Sequence, residues 1–391
     1  MAQFLLFTGK GGVGTTTVAA ATAALLARRG QKTLVLSTEP TRSLADTLGE
    51  QLGPHAREIE GGLSALRIDP QRRLQASWQT VLDYLGGPGL AAVATEESTV
   101  LPGAADVLAL LELRDLTVAG RWDTVVVDGP SAAAMVALLA LPETLTWYVR
   151  RAFPIERRIA RAMRPGSGAT GGAADRLLDA ATRLAAELDE IRAVLADPAR
   201  TALRLVLTPE ATVLADARRS VTALATHGHR VGGIVANKVI PAPTGAAPDP
   251  WRAGWAASQR RQLTELAGSF PGVPVRQARY RPAEPVGLRA LLDLARELYG
   301  SDDPAAGSPP EPTSTIDRDG AEYLFRLPLP FADRSDVELA RSGDELVLTV
   351  AGDRRLLTLP SGLRRCTTVG ASLHDGTLTV RFRPDPGQWP R

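Results

Sequence analysis

A glycine-rich turn near the start of the chain holds the residues whose types and spacing could do chemistry. Gly9-Lys-Gly-Gly-Val-Gly-Thr-Thr-Thr17 follows a short apolar run and precedes an alanine-rich stretch. Glycines let successive backbone N–H groups turn inward around phosphate oxygens, and the dipole of a following helix favours the anion. The template G-x-x-x-x-G-K-[ST] fits at Gly9, Gly14 and Thr16, but Thr15 replaces the lysine. We predict a phosphate-binding loop; a turn that binds nothing is the alternative.

The composition excludes several other kinds of site. Among 391 residues, 45 are basic and 43 acidic, a balance that argues against a protein that coats nucleic acid. The only cysteine, Cys366, excludes an internal disulfide and a multi-cysteine zinc or iron–sulfur site within one chain. Lys10, Lys32 and Lys238 are the only lysines, so 42 of the 45 basic residues are arginine. A general replacement of lysine by arginine therefore does not explain the threonine at position 15.

The chain divides into three zones, of which the first contains this loop. Residues 1–300 alternate short apolar runs with helical patterns, which predicts an α/β fold: a P-loop NTPase-like parallel sheet flanked by helices, with a largely helical insert at about 143–200. Residues 301–315 form a Pro-rich linker, and the period-two pattern of 316–391 predicts a small all-β domain. The strand candidates of the first zone are Phe4–Phe7, Thr33–Ser37, Ala65–Ile68, Thr124–Val127, Leu203–Leu207 and Val231–Ala236.

Membrane and export signals are weak. No apolar run approaches the ~18 residues that span a bilayer, since the run from Ala132 to Leu141 is too short. Met1–Phe7 lacks the basic flank of a signal peptide, so we expect a cytoplasmic protein.

Arg150–Arg164 contains six arginines and one glutamate. We interpret it as a solvated helix face; a basic surface for a partner or an anionic membrane is the alternative.

Further segments extend the pattern of the glycine-rich turn. Lys10-Gly-Gly-Val-Gly14 resembles the deviant phosphate loop K-G-G-x-G-K-[ST] of the dimeric ATPases that include ParA/MinD and the ArsA/tail-anchored-protein-targeting group. Further segments match that group's motifs in the same order and with the same spacing over about residues 1–300. The chain is therefore identified as a member of the ArsA/tail-anchored-protein-targeting family. The other matching segments are Glu39–Asp46, Asp69-Pro70, Pro102–Leu110, Trp122–Pro130, Leu141–Glu143, Asp197-Pro198 to Pro209-Glu210, and Gly233–Val239.

The resemblance implies a dimer that binds ATP or ADP with Mg²⁺, and it assigns roles to residues. Lys10 would act in catalysis by reaching across the dimer to the partner's nucleotide. Glu39 takes the position of the switch aspartate that orients the attacking water. Thr16 and Asp128 would hold Mg²⁺, a hard ion that prefers oxygen ligands. The implied nucleotide-binding residues are Gly9, Lys10, Gly11, Gly12, Val13, Gly14, Thr15, Thr16, Thr17 and the adenine-reading Asn237.

Departures from the family pattern concern hydrolysis. Thr15 replaces the loop lysine, Glu39 is one methylene longer than aspartate, and Arg42 replaces a histidine. The second switch, Asp128-Gly-Pro-Ser-Ala-Ala-Ala134, lacks the family's glycine and histidine. Losing one preorganised group of this kind costs about 2.7–4 kcal/mol of transition-state stabilisation. We therefore expect hydrolysis that is weak or dependent on a partner, with nucleotide binding retained through the backbone N–H groups.

The client is not named by the sequence. Metal pumps of the family bind arsenite through cysteines, so a single Cys366 disfavours arsenite transport. A methionine-rich groove for a membrane helix is not evident, because the chain has three methionines. We interpret Trp251, Trp255 and Phe270 as core residues.

The C-terminal zone resembles an α-crystallin or small-heat-shock-protein domain. Its hallmark A-x-L-x-x-G-x-L-x-V is complete in Ala371–Val380, and Phe325–Phe331 and Asp344–Val350 also match. A generic β-sandwich is the alternative. The resemblance implies protein interaction, in which an edge strand or groove receives a segment of another chain.

Three functions are compatible with the sequence. The first is an ATP-binding homodimer, or a heterodimer with an ArsA-like paralogue, that couples nucleotide state to a protein client through the β domain or the helical insert. The second is a catalytically inactive or nucleotide-blind scaffold. The third is a ParA-like partition ATPase, against which the helical insert and the β domain count.

Overall fold

The structure, a computed structural model, describes residues 2–38, 41–68, 104–152, 173–242, 249–306 and 313–387. The first part is an α/β domain. Its elements are β1 (Gln3–Gly9), α1 (Thr15–Arg28), β2 (Thr33–Ser37), α2 (Ser43–Leu48), β3 (Arg57–Glu60), β4 (Leu63–Arg67), α3 (Ala104–Ala119), β5 (Thr124–Ser131), α4 (Ala132–Ala152), α5 (Ala173–Ala196), β6 (Thr201–Leu207), α6 (Ala211–Thr226), β7 (Val231–Val239), α7 (Pro250–Ser269), β8 (Val275–Arg279) and α8 (Leu288–Tyr299).

Eight strands form one sheet in the order β3-β4-β2-β5-β1-β6-β7-β8. All neighbours are parallel except β3, which pairs antiparallel with β4 at the edge. The central strands are buried apolar runs such as Phe4-Leu-Leu-Phe7, as expected where helices cover both faces. The prediction of a P-loop-like α/β fold is therefore confirmed. Because the strands are parallel, the loops that follow β1, β2, β5 and β7 meet at one edge of the sheet.

The six strand candidates are all strands, and two further strands complete the sheet. The candidate Ala65–Ile68 is shifted, since β4 ends at Arg67 and Ile68 follows it. Strands β3 and β8 were not predicted, because their sequences, Arg-Glu-Ile-Glu and Val-Arg-Gln-Ala-Arg, are largely charged or polar. Such sequences are typical of edge strands, where charged side chains discourage pairing with other chains.

Helix α4 corrects the expectation about membrane spans. Pro142 lies inside α4 without ending it, so the helix runs past Leu141. Among the described residues, this is the one helix that is long and apolar enough, by length and composition, to cross a membrane. Met135, Leu138 and Leu139 of α4 are buried in the core of the α/β domain, as in a core helix. Most of the arginine-rich segment and part of the predicted insert fall in residues 153–172, outside the described residues.

The aromatic residues of α7 are a second correction. Phe270 is buried as expected, but Trp251 and Trp255 are 68% and 41% exposed. The buried side chains of α7 are Ala256, Gln259 and Leu266. The two tryptophans lie in the first two turns, before the helix becomes covered, and they contact each other with ring centroids 6.3 Å apart.

A second, all-β domain follows the linker region. Its elements are β9 (Thr315–Asp319), β10 (Glu322–Pro328), a 3-10 turn (Arg334–Asp336), β11 (Val337–Ser342), β12 (Glu345–Val350), β13 (Asp353–Thr358), the short α9 (Ser361–Arg364), β14 (Cys366–His374) and β15 (Thr377–Pro384). One sheet has the order β14-β15-β10-β9 and the other β11-β12-β13. Leu327, Leu348, Val380 and Phe382 are among the side chains that form the separate core of this domain.

Candidate nucleotide site

The glycine-rich turn is a tight loop between β1 and α1. Gly12 and Gly14 have φ of 84° and 94°, a region that favours glycine. A Cβ on Gly9 would come within 2.2 Å of the Val206 carbonyl oxygen, and one on Gly14 within 2.4 Å of Asn237 Nδ2. Helix α1 begins at Thr15, directly behind the loop. The loop thus has the cradle shape and the helix N-terminus that suit a phosphate group.

Strand β7 contacts the loop from the side. The side-chain amide of Asn237 is buried and donates from Nδ2 to Val13 O at 2.8 Å. Lys238 donates from Nζ to Gly12 O at 2.7 Å. The family pattern assigns Asn237, but not Lys238, to the site. The sequence signal for Lys238 was its rarity, as one of three lysines in the chain.

Asp128 lies beside the loop at the end of β5. The strand register pairs Asp128 with Phe7 of β1 and with Ser37 of β2, and the residue is 4% exposed. Thr38 N–H, at the end of β2, donates to the Asp128 carbonyl at 3.2 Å. The hydroxyl of Thr16, in the first turn of α1, and the Asp128 carboxylate are hard oxygen donors, so these two residues fit Mg²⁺ together with phosphate oxygens.

Gly129, directly after Asp128, has a packing reason to be glycine. Strand β5 continues through Gly129 and Pro130 to Ser131, and α4 begins at the next residue. A Cβ on Gly129 would lie 2.2 Å from the Met135 Cε and 2.7 Å from the Phe7 carbonyl oxygen. Only glycine therefore fits between β1 and the first turns of α4. The first turns of α4 therefore lie close to the sheet beside Asp128.

Several assigned residues stand apart from these contacts. Lys10 and Gly11 are exposed, and Thr15, Thr16 and Thr17 are half-buried. Arg42 forms the N-cap of α2, and Glu39 lies outside the described residues. Among the side chains that the structure describes, no group of three or more His, Cys, Asp or Glu could hold a metal ion. Cys366 is buried in the β domain, and burial raises the pKa of its thiol, which does not suit a metal-binding thiolate.

The β domain contacts the α/β domain along α4 and α6. Trp147 Nε1 of α4 donates to Glu345 Oε1 of β12 at 2.8 Å. Phe331 packs edge-on against Phe270, with ring centroids 5.1 Å apart, and Thr222 of α6 donates to the Pro330 carbonyl. The Trp147 contact connects the β domain with α4, and the other two connect it with α6 and the end of α7.

Arg355 of β13 is a largely buried charge at this interface, with its side chain 15% exposed. Its Nε lies 3.2 Å from Glu143 Oε2 of α4, and its Nη1 donates to the Thr226 carbonyl at 2.6 Å. Burial lowers the pKa of the guanidinium, which Glu143 partly offsets. Burial, and then the charge of Arg355, lower the pKa of His227 to about 4. Burial, Arg355 and His227 together lower the pKa of His229 to about 3. Both histidines are therefore neutral at pH 7.

Comparisons with known proteins agree with this architecture. The chain matches the anion-transporting ATPase family over residues 2–300 and the HSP20-like domain found in ArsA over residues 320–382. It is 41% identical to an uncharacterized protein of Streptomyces coelicolor over 99% of both chains. It is 36% identical to a protein of Mycobacterium tuberculosis over 100% of this chain and 98% of the other.

A more distant relative has a named activity. The arsenical pump-driving ATPase of Escherichia coli is 29% identical over 74% of this chain and 48% of its own length. Both predicted resemblances, of the α/β domain and of the β domain, are confirmed. The chain belongs to the ArsA family of anion-transporting ATPases, with an HSP20-like domain at its C-terminal end.

Proposed function

We propose that this ArsA-like ATPase binds ATP and ADP with Mg²⁺ and couples the bound nucleotide to its β domain, and through that domain to a protein client. The loop glycines and Asn237 would hold the nucleotide, and Thr16 and Asp128 the metal ion. Because Thr15 replaces the loop lysine and Glu39 the switch aspartate, hydrolysis is weak or depends on a partner. Lys10 is exposed, so its side chain would be able to reach the nucleotide of a second subunit, in a homodimer or in a heterodimer with a paralogue.

One observation carries the coupling. Asp128 lies three residues before the end of β5, and α4 begins immediately afterwards. The same helix presents Glu143 to Arg355 and Trp147 to Glu345 of the β domain. A helix with one end at the switch and two polar contacts to the second domain would transmit a shift at the nucleotide as a change in docking. This is why we assign the β domain, and not the phosphate loop alone, to client handling.

A cysteine-based arsenite function does not fit this chain. Soft metalloids and metals are held by several thiolates, and Cys366 is the only cysteine. It is 3% exposed within the core of the β domain. We therefore propose a protein as the client and do not extend the transport role named in relatives to this chain.

The nucleotide part of the proposal is tested by calorimetry. ADP and ATP are titrated into the full chain with and without Mg²⁺, and the same is done for Asp128→Asn. Wild type is expected to bind both nucleotides, with affinity increased by Mg²⁺, whereas Asp128→Asn keeps binding but loses the Mg²⁺ effect. Absence of any nucleotide heat with wild type would contradict the proposal.

The coupling part needs a separate measurement. Hydrogen–deuterium exchange of β12 and β13 is compared in the nucleotide-free, ADP and ATP states of wild type and of Glu143→Gln. Exchange that changes with nucleotide in wild type, and less in the variant, supports coupling through α4. Identical exchange in all states of a protein that does bind nucleotide would show that the β domain is not coupled.

A nucleotide-blind scaffold is the second candidate, favoured by Thr15 and by the altered second switch. The two candidates differ in one simple property, since a ligand that binds only the folded state must raise the melting temperature. An unchanged melting temperature in excess Mg²⁺ and nucleotide would favour the scaffold.

A further inference from the structure

We propose that Lys238 is a positioning residue that holds the phosphate loop in its anion-binding conformation and brings to the loop a positive charge that Thr15 does not supply. The inference rests on the proposed nucleotide binding for its functional part. Its structural part concerns the nucleotide-free loop and is tested independently. Lys238 would act through the loop backbone, where its Nζ lies 2.7 Å from Gly12 O.

The backbone conformation at Lys238 directs its side chain toward the loop. Its φ is 56°, a left-handed conformation that is unfavourable for a residue with a long side chain. The buried side chain of Gln259 in α7 holds this irregular end of β7 on both sides of Val239, because its Nε2 donates to Lys238 O at 3.2 Å and its Oε1 accepts from Ile240 N at 2.7 Å. Strain kept in place by such a clamp often marks a functional position.

The contacts to the loop set the direction of its N–H groups. In a trans peptide the C=O and the N–H of the next residue point in opposite directions. Lys238 holds the Gly12 carbonyl and Asn237 holds the Val13 carbonyl on the β7 side. The N–H groups of Val13 and Gly14 therefore face the opposite side. Val13 N–H is used within the loop, where it donates to Lys10 O at 3.3 Å. The Gly14 N–H is thus turned away from β7, to the side from which a phosphate oxygen would accept it.

Charge and position make Lys238 different from the other lysines. Lys32 lies at the opposite end of the sheet, where its carbonyl accepts from Asp123 N just before β2 begins. Lys10 belongs to the loop itself and is exposed. Lys238 is half-buried and comes from a neighbouring strand, so its ammonium is fixed relative to the loop by the sheet.

The test separates positioning from folding. Asparagine tolerates a positive φ but is too short to reach Gly12, so Lys238→Asn keeps the backbone conformation and removes the contact. Lys238→Met removes the charge but keeps the length, and Lys32→Asn is the control at the remote lysine. The measurements are melting temperature, hydrogen–deuterium exchange of the loop amides without nucleotide, and the Kd for ADP with Mg²⁺ by calorimetry.

We expect Lys238→Asn to melt close to wild type, while its loop amides exchange faster and its Kd rises about ten-fold, the order set by one lost charged hydrogen bond. Lys238→Met should show the same rise, and Lys32→Asn none. Loop exchange and Kd unchanged in both Lys238 variants would overturn the inference. If wild type binds no nucleotide, the proposed function fails, whereas faster loop exchange in Lys238→Asn would still support the positioning role.

Discussion

Arg355 of the β domain and Glu143 in the middle of α4 form an ion pair that joins the two domains, with 3.2 Å between Nε and Oε2. The side chains are only 15% and 30% exposed, so water screens the pair weakly. The Thr226 carbonyl accepts a second hydrogen bond from the same guanidinium. Arg355 is therefore satisfied only while its domain stays docked on both α4 and α6, and this makes the pair a specific determinant of docking.

The two halves of the pair should not be equivalent on mutation. Glu143→Ala leaves a buried guanidinium without its carboxylate, whereas Arg355→Met replaces the buried charge with an apolar side chain of similar length. We expect Glu143→Ala to lower the free energy of unfolding by about 1–3 kcal/mol, and Arg355→Met to cost less. Urea unfolding of the full chain measures both.

The control is an exposed ion pair in the same domain. Asp216 and Arg219 of α6 pair across one helical turn at the surface, and Asp216→Ala should change the free energy by no more than about 0.5 kcal/mol. If Glu143→Ala costs as little as Asp216→Ala, the pair does not determine docking.

The sequence predicted the central strands because buried parallel strands are continuous apolar runs. It did not predict β3 and β8, whose charged residues become strands only through pairing with β4 and β7. The loop glycines followed from a local template, whereas the contact of Lys238 with Gly12 joins residues 226 positions apart.

Trp251 and Trp255 were wrongly placed in the core, since hydrophobicity alone does not show where a helix projects beyond its neighbours. The domain interface could not be predicted either, because nothing in the sequence around Arg355 indicates that its partner is Glu143, 212 residues earlier.

The loop glycines differ in what they tolerate, and this gives a matched pair of variants. Gly14→Ala would place a Cβ 2.4 Å from Asn237 Nδ2 at a residue with φ of 94°. Gly11→Ala meets nothing within 4 Å. We expect Gly14→Ala to lower stability by about 1–3 kcal/mol and to weaken ADP binding, with Gly11→Ala near wild type. Thermal unfolding and calorimetry of both variants check this, and equal effects would show that the Asn237 contact is unimportant.

Restoring the missing lysine tests the origin of slow hydrolysis. Thr15 is the first residue of α1 and half-buried at the loop. Thr15→Lys is expected to raise ATP turnover by up to about 10²–10³, the effect of one preorganised charge-stabilising donor. Steady-state phosphate release measures it, with Thr15→Ala as the control for loss of the hydroxyl. Turnover that stays at background while ATP binds would place the defect in the switches, and Glu39→Asp in the Thr15→Lys background is the next variant.

The histidines at the domain interface predict a loss of stability in mild acid. The pKa of His227 is lowered from 6.5 to about 4 and that of His229 to about 3, by burial first and then by Arg355. Between about pH 4 and pH 6.5 the unfolded chain therefore binds protons that the folded chain excludes. The stabilisation from keeping both rings neutral is complete above pH 6.5 and falls as the pH drops toward 4.

The remaining two histidines provide the control for this window. His55 and His374 are exposed, and His374 lies in the β domain away from α6. We expect the melting temperature to fall from pH 7.5 to pH 5.0 in wild type and in the His55→Gln/His374→Gln variant. The decrease should be clearly smaller in His227→Gln/His229→Gln, because that chain has no buried imidazole to protonate. Differential scanning calorimetry across the range decides it, and parallel curves for the two double variants would show that the interface histidines do not control acid stability.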